Sequence, residues 1–132
     1  MHGIAVTLLT EDKERVSVLQ HRLEATNMGR NVFTHVGFPA SAIDPVVRQI
    51  QDVRTEVVLV DIDSYNVQRA ISAIELIHST TSDIAIFAIG PMNDPSTIVS
   101  TMRAGAREYL ELHAGSEALV EAFTRLAPTR SA

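Results

Sequence analysis

The sequence predicts an α/β fold in which five parallel strands alternate with five helices. Two observations carry this reading. Five short apolar runs recur along the 132 residues: "IAVTLL" (4–9), "NVFTHV" (31–36), "VVLVD" (57–61), "IAIFAI" (84–89) and "EYLEL" (108–112). The third and fourth are rich in Ile, Val and Phe with little polar alternation, as expected of strands covered on both faces. Segments of helical spacing separate the runs, and such alternation implies a parallel sheet with helices on both sides.

The elements follow in order. After the first strand, a helix over about Lys13 to Thr26 carries Val16, Leu19 and Leu23 on one face. The second helix opens at "DPVVRQI", where Asp44 caps and Pro45 takes the first helical position. Asn66 is placed to cap a third helix, whose Ala70, Ile71, Ile74 and Ile77 form an apolar stripe. "DPSTIVSTMRAG" repeats the capping logic with Asp94 and Pro95, and Gly105 ends that helix. A fifth helix, about Ser116 to Leu126, buries Leu119, Val120, Phe123 and Leu126. A (βα)5 unit of this kind is expected to form a flavodoxin-like three-layer sandwich with strand order 2-1-3-4-5. The domain is expected to span 1–126. The tail "APTRSA" (127–132) has the composition of a linker, as in a domain cut from a longer chain.

Composition narrows the function. The length suits one domain, and 45% hydrophobic with 20% charged residues is ordinary for a globular protein. A net charge of -5 without a basic run argues against nucleic-acid binding. With no cysteine, disulfides, thiolate metal sites and thiol nucleophiles are excluded. No apolar run reaches membrane length, and the expected setting is the cytoplasm. The five histidines lack metal-ligand spacing, and no dinucleotide, P-loop or serine-hydrolase motif occurs.

In this fold the loops after the strand C-termini line one crevice. They bring Glu11, Asp12 and Asp61 together, with His113 nearby. Three carboxylates form the hard oxygen set that Mg²⁺ prefers. Equally, Glu11 and Asp12 would favour the N-terminus of the first helix through its dipole. Acids in "TEDKE" would repel a flavin phosphate.

These residues resemble the receiver domain of two-component response regulators, the CheY-like fold, from about Ile4 to Leu126. The carriers are the acidic pair Glu11-Asp12, the strand "VVLVD" ending in Asp61, and "MRAGAREYL" (102–110). The resemblance implies that Asp61 is the phosphoacceptor position in a phosphorelay, phosphorylated by a histidine kinase or a small donor. It implies a weak Mg²⁺ site from Glu11, Asp12, Asp61 and the backbone of Asp63. It makes Tyr109 the aromatic switch residue, and Gly90 and Leu112 the other switch positions. Arg103, Arg107, Glu108 and Glu111 fall on the corner that receivers use for partners. There Arg107 and Glu108, with Glu111, would form exchangeable ion pairs across a homodimer built on helix four, strand five and helix five. Solvated charges at a corner are the plainer reading of these four residues.

Three positions depart from the receiver pattern. Gly90 stands where receivers carry Ser or Thr, and Leu112-His113 where they carry Lys-Pro. Tyr65 takes a proline position in the loop after Asp61. Hydrogen bonds to a charged group contribute about 1.5–3 kcal/mol each, so losing two removes about 3–6 kcal/mol. A switch driven from 1:99 to 99:1 needs about 5.5 kcal/mol. The sequence is therefore read as a degenerate, or pseudo-, receiver: a non-enzymatic signalling and protein-interaction module. It resembles in particular the atypical receivers that precede a MinD-like ATPase in Tad/Cpa-type pilus-assembly proteins. That likeness implies an assembly protein or a fused ATPase domain as partner. A working phosphoacceptor is the alternative, and a small metal-assisted hydrolase the third.

Overall fold

The computed structural model describes residues 3–131 except 82, 112 and 114, with 127–131 described in backbone alone. Ten elements alternate strictly. They are β1 (Ile4–Thr10), α1 (Arg15–Ala25), β2 (Gly29–Val36), α2 (Pro45–Asp52), β3 (Val57–Asp61), α3 (Val67–Thr80), β4 (Ala85–Gly90), α4 (Pro95–Ala104), β5 (Glu108–Glu111) and α5 (Ser116–Ser131). All strand pairs are parallel, and the sheet order is β2-β1-β3-β4-β5, as expected.

Period-two alternation divides the central strands between two cores. Val6, Leu8, Val57 and Leu59 pack with Leu19 and Leu23 of α1 and with Leu119, Phe123 and Leu126 of α5. Leu9, Val58 and Val60 face the opposite way, against Val46 and Ile50 of α2, Ile74 and Ile77 of α3, and Ala104 of α4. Every residue of β1, β3 and β4 is buried, which explains their unbroken apolar character. The rings of Phe87 and Phe123 meet at 5.6 Å and 37°, a tilted contact within the first core.

The edge strand β2 carries an irregularity. Val6 pairs with Asn31 but Thr7 with Phe33, so Val32 is an extra residue. The Asn31 amide donates to the carbonyls of Val6 (3.2 Å) and Phe33 (2.9 Å) and fills the interrupted ladder.

The caps show which local signals hold. Asp44 and Asp94 accept from the backbone N–H groups of Val46 and Ser96, each with proline in the first turn. Asn66 does not cap α3 with its side chain, contrary to expectation. Its Oδ1 accepts from Asp63 N at 2.9 Å, while Asp63 Oδ1 accepts from the N–H groups of Tyr65 and Asn66. This reciprocal turn holds the β3–α3 loop in the absence of the usual proline. Helix α1 starts at Arg15 rather than Lys13, because Asp12 Oδ1 binds Glu14 N in a preceding turn. In α5, Leu119, Phe123 and Leu126 are buried, but Val120 is only half-buried. Beyond Leu126 the helix continues through 127–131, where composition suggests a linker.

The turn from α4 into β5 depends on Gly105. Its φ is +130°, and a Cβ there would stand 2.5 Å from the His78 ring of α3. Only glycine allows that backbone and that close approach together. The turn hands the chain to β5 and so aims Tyr109 at the end of β4.

Candidate functional site

The site lies at the C-terminal edge of the sheet, where β1, β3 and β4 end side by side. Asp61, the last residue of β3, is 3% exposed. A carboxylate so deep needs partners, since an unpaired buried charge costs several kcal/mol. It has two. Thr10 Oγ1 donates to Asp61 Oδ2 at 2.8 Å. Arg15 then forks onto the carboxylate, Nε to Oδ2 at 3.3 Å and Nη2 to Oδ1 at 3.1 Å. Arg15 lies in the first turn of α1, which projects its side chain over the crevice.

Glu11 is engaged in the same way. Arg69 of α3 donates from Nε to Glu11 Oε2 and from Nη2 to Oε1, both at 2.9 Å. That hydrogen bond, with the charge of Glu11, holds the Arg69 guanidinium above its ordinary pKa. Asp12 is exposed and spends its carboxylate on the turn before α1. Asp63 O, the backbone oxygen assigned to the metal, accepts from Asn66 N at 3.3 Å.

The acids expected to hold Mg²⁺ thus do not form a free oxygen set. Among the described residues, no group of three His, Asp or Glu side chains is arranged to bind a metal ion. The expected Glu11, Asp12 and Asp61 cluster is replaced by two separate arginine–carboxylate pairs. The disposition of these residues does not fit the cation that the fold implies.

The other side of the crevice is closed by Tyr109. Its hydroxyl donates to the Pro91 carbonyl at 2.8 Å. A Cβ on Gly90 would stand only 2.6 Å from that hydroxyl and 3.1 Å from the Ile62 carbonyl. Gly90 therefore lacks a side chain at the point where Tyr109 is seated. Burial, and secondarily the charge of Asp94, raise the Tyr109 pKa, so the phenol is a hydrogen-bond donor at neutral pH. Leu112, the remaining switch position, lies outside the described residues. Lys13 and His113 are exposed, and among the described residues the cation that reaches Asp61 is Arg15.

On the α4–β5 corner, Arg103, Arg107 and Glu111 are exposed. Within the chain, Glu108 pairs with Arg125 of α5, which donates to it at 2.9 and 2.7 Å. Helix α4 buries Thr97 and Thr101 beside Ala104, whereas Val99 and Met102 are exposed. The buried hydroxyls bond to Asp94 Oδ2 and to the Thr97 carbonyl.

This architecture has close counterparts among solved structures. A pilus assembly-related protein from Burkholderia pseudomallei matches over 95% of this chain and 90% of its own, at 21% identity and a TM-score of 0.75. A CheY-like protein, TadZ, from Pseudomonas aeruginosa matches over 96% and 94%, at 21% identity and 0.74. The signal receiver domain of the response regulator NarL from Mycobacterium tuberculosis matches over 97% and 98%, at 13% identity and 0.72. The fold is that of a receiver domain. No protein-family model and no curated protein matches the sequence.

Within this receiver fold, strand topology places Asp61 at the crevice, while Tyr109 enters only through the resemblance. Sequence reasoning missed Thr10, Arg15 and Arg69, the residues that define the state of the carboxylates. One signal was present for Arg15: a helix entered at Asp12 must carry its first turn across the mouth of the crevice.

Proposed function

We propose that this chain is a receiver-type interaction module that works without phosphorylation and without enzymatic activity. The observation that carries the reading is the seating of Tyr109 on Gly90. In the receiver pattern that strand end carries a hydroxyl that reads the phosphoryl group, and the aromatic residue responds. Here the reader is reduced to glycine, and the phenol stands in its place with its hydroxyl already bonded. Asp61 is occupied by Arg15 and Thr10, which further opposes its use as a nucleophile.

The partner surface in this reading is the α4–β5–α5 face. Exposed Val99 and Met102 offer apolar area, and Arg103, Arg107 and Glu111 supply charges of both signs. A second copy of the chain is the occupant such a self-complementary face suits. Likeness in fold to the pilus assembly-related protein and to TadZ supports a role in pilus assembly or protein localisation in the cytoplasm. An assembly protein or an ATPase domain is then the further partner.

The test is to incubate the protein with acetyl phosphate and Mg²⁺ and measure intact mass and association state. The expected result is no stoichiometric adduct and an unchanged association state. A stable adduct, abolished by Asp61→Asn and accompanied by altered association, would refute the proposal.

A further inference from the structure

We infer that Arg15 and Arg69 replace the divalent cation of a receiver site, so that the crevice is assembled by internal cations. The inference rests on reading the crevice as receiver-type. Two guanidinium groups carry the same charge as one divalent ion, and they meet the carboxylates that such an ion would need. Each contact is a fork of two N–H donors on two carboxylate oxygens, the arrangement in which arginine binds most specifically. Asp61 Oδ2 already accepts from both Thr10 and Arg15, and Oδ1 accepts from Arg15. A metal ion would have to expel a guanidinium from a carboxylate that is itself only 5% exposed.

The two arginines come from opposite faces of the sheet. Arg15 ties α1 to the end of β3, and Arg69 ties α3 to the loop after β1. Between them they fasten both helical layers to the crevice rim. The shape of this rim is thus set by the chain itself and does not respond to Mg²⁺.

The experiment is a Mn²⁺ titration followed by electron paramagnetic resonance, paired with thermal unfolding in millimolar Mg²⁺ or in Na⁺ of matched ionic strength. Wild-type protein is expected to bind no Mn²⁺ at Asp61, and its midpoint should be the same in Mg²⁺ and Na⁺. Arg15→Ala combined with Arg69→Ala should unfold at lower temperature, bind Mn²⁺ at least about tenfold more tightly than the upper limit that the wild-type titration sets, and regain stability in Mg²⁺. Arg15→Met combined with Arg69→Ala keeps the aliphatic stem and is the second variant if the first fails to fold. Stoichiometric Mn²⁺ binding by wild type that Asp61→Asn removes would overturn the inference. So would a folded double variant that takes no Mn²⁺. Metal bound to wild type without a phosphoryl adduct would defeat this inference alone. An adduct on Asp61 with altered association would defeat the proposed function.

Discussion

The Tyr109 hydroxyl lies 2.6 Å from where a β-carbon on residue 90 would be. A side chain at residue 90 therefore requires the Tyr109 phenol to shift from this position. Gly90→Thr should expel the phenol and destabilise the domain by about 1–3 kcal/mol, the usual cost of overpacking. Tyr109→Phe should lose about 1 kcal/mol through the bond to Pro91. The decisive measurement is a double-mutant cycle in urea. Gly90→Thr should cost markedly less in a Tyr109→Ala background, and additive losses would mean that the pair is not coupled.

The Arg15–Asp61 pair should respond asymmetrically to truncation. Asp61 is almost fully buried, whereas the Arg15 side chain is 23% exposed and can swing into water. Arg15→Ala strands a buried carboxylate and should cost about 3 kcal/mol. Asp61→Asn keeps an acceptor for Thr10 and should cost about 1 kcal/mol. Denaturant midpoints of the two variants, compared with wild type, check the order; the reverse order would contradict the described burial.

Asp94 links stability to pH. Hydrogen bonds from the Ser96 and Thr97 hydroxyls, outweighing desolvation, lower its pKa below the ordinary carboxylate value. A lowered folded-state pKa contributes stability above the unfolded value and loses it as pH falls through the folded one. Asp94→Ala should therefore be less stable than wild type at neutral pH, with the gap narrowing in acid. Asp94→Asn, which retains an N-cap acceptor, should show much less pH dependence. Urea unfolding across the acid range reads both.

Gly105→Ala should destabilise by about 1–3 kcal/mol, since alanine is strained at a φ of +130°. Its new methyl would also meet the His78 ring. His78→Ala should relieve the clash but not the backbone strain, so rescue in thermal unfolding should be partial.

If the α4–β5–α5 face joins two copies, then Arg103→Glu with Arg107→Glu should weaken association and leave the unfolding midpoint of the monomer nearly unchanged. Both side chains are exposed, and exposed charges contribute little to folding. Sedimentation equilibrium separates this from the outcome in which association is unaffected.

Much of the fold was legible because its signals are local. The β3 run ends at Asp61 as read, and Asp-Pro pairs start α2 and α4 as capping predicts. Asn66 misled because its side chain had a competing partner in Asp63 N, which a capping preference cannot anticipate. The site was only half legible. Strand ends locate Asp61 and Gly90 by topology alone, whereas Tyr109 follows only from the resemblance to receivers. The contact between Arg15 and Asp61 joins residues 46 apart in sequence, and Arg69 and Glu11 are 58 apart. Their pairing depends on the rotation of α1 and α3, which the cores fix and no local pattern records. A count of acids at the crevice therefore suggested a metal site, when the same crevice also holds two arginines.

The central claim is that Tyr109 is seated without help from a phosphoryl group on Asp61. Its most direct test is the nuclear magnetic resonance spectrum of the labelled protein before and after addition of beryllofluoride with Mg²⁺. The account predicts that resonances of Asp61, Tyr109 and the α4–β5 backbone stay where they are. Shifts that begin at Asp61 and extend to Tyr109 and α4 would contradict it.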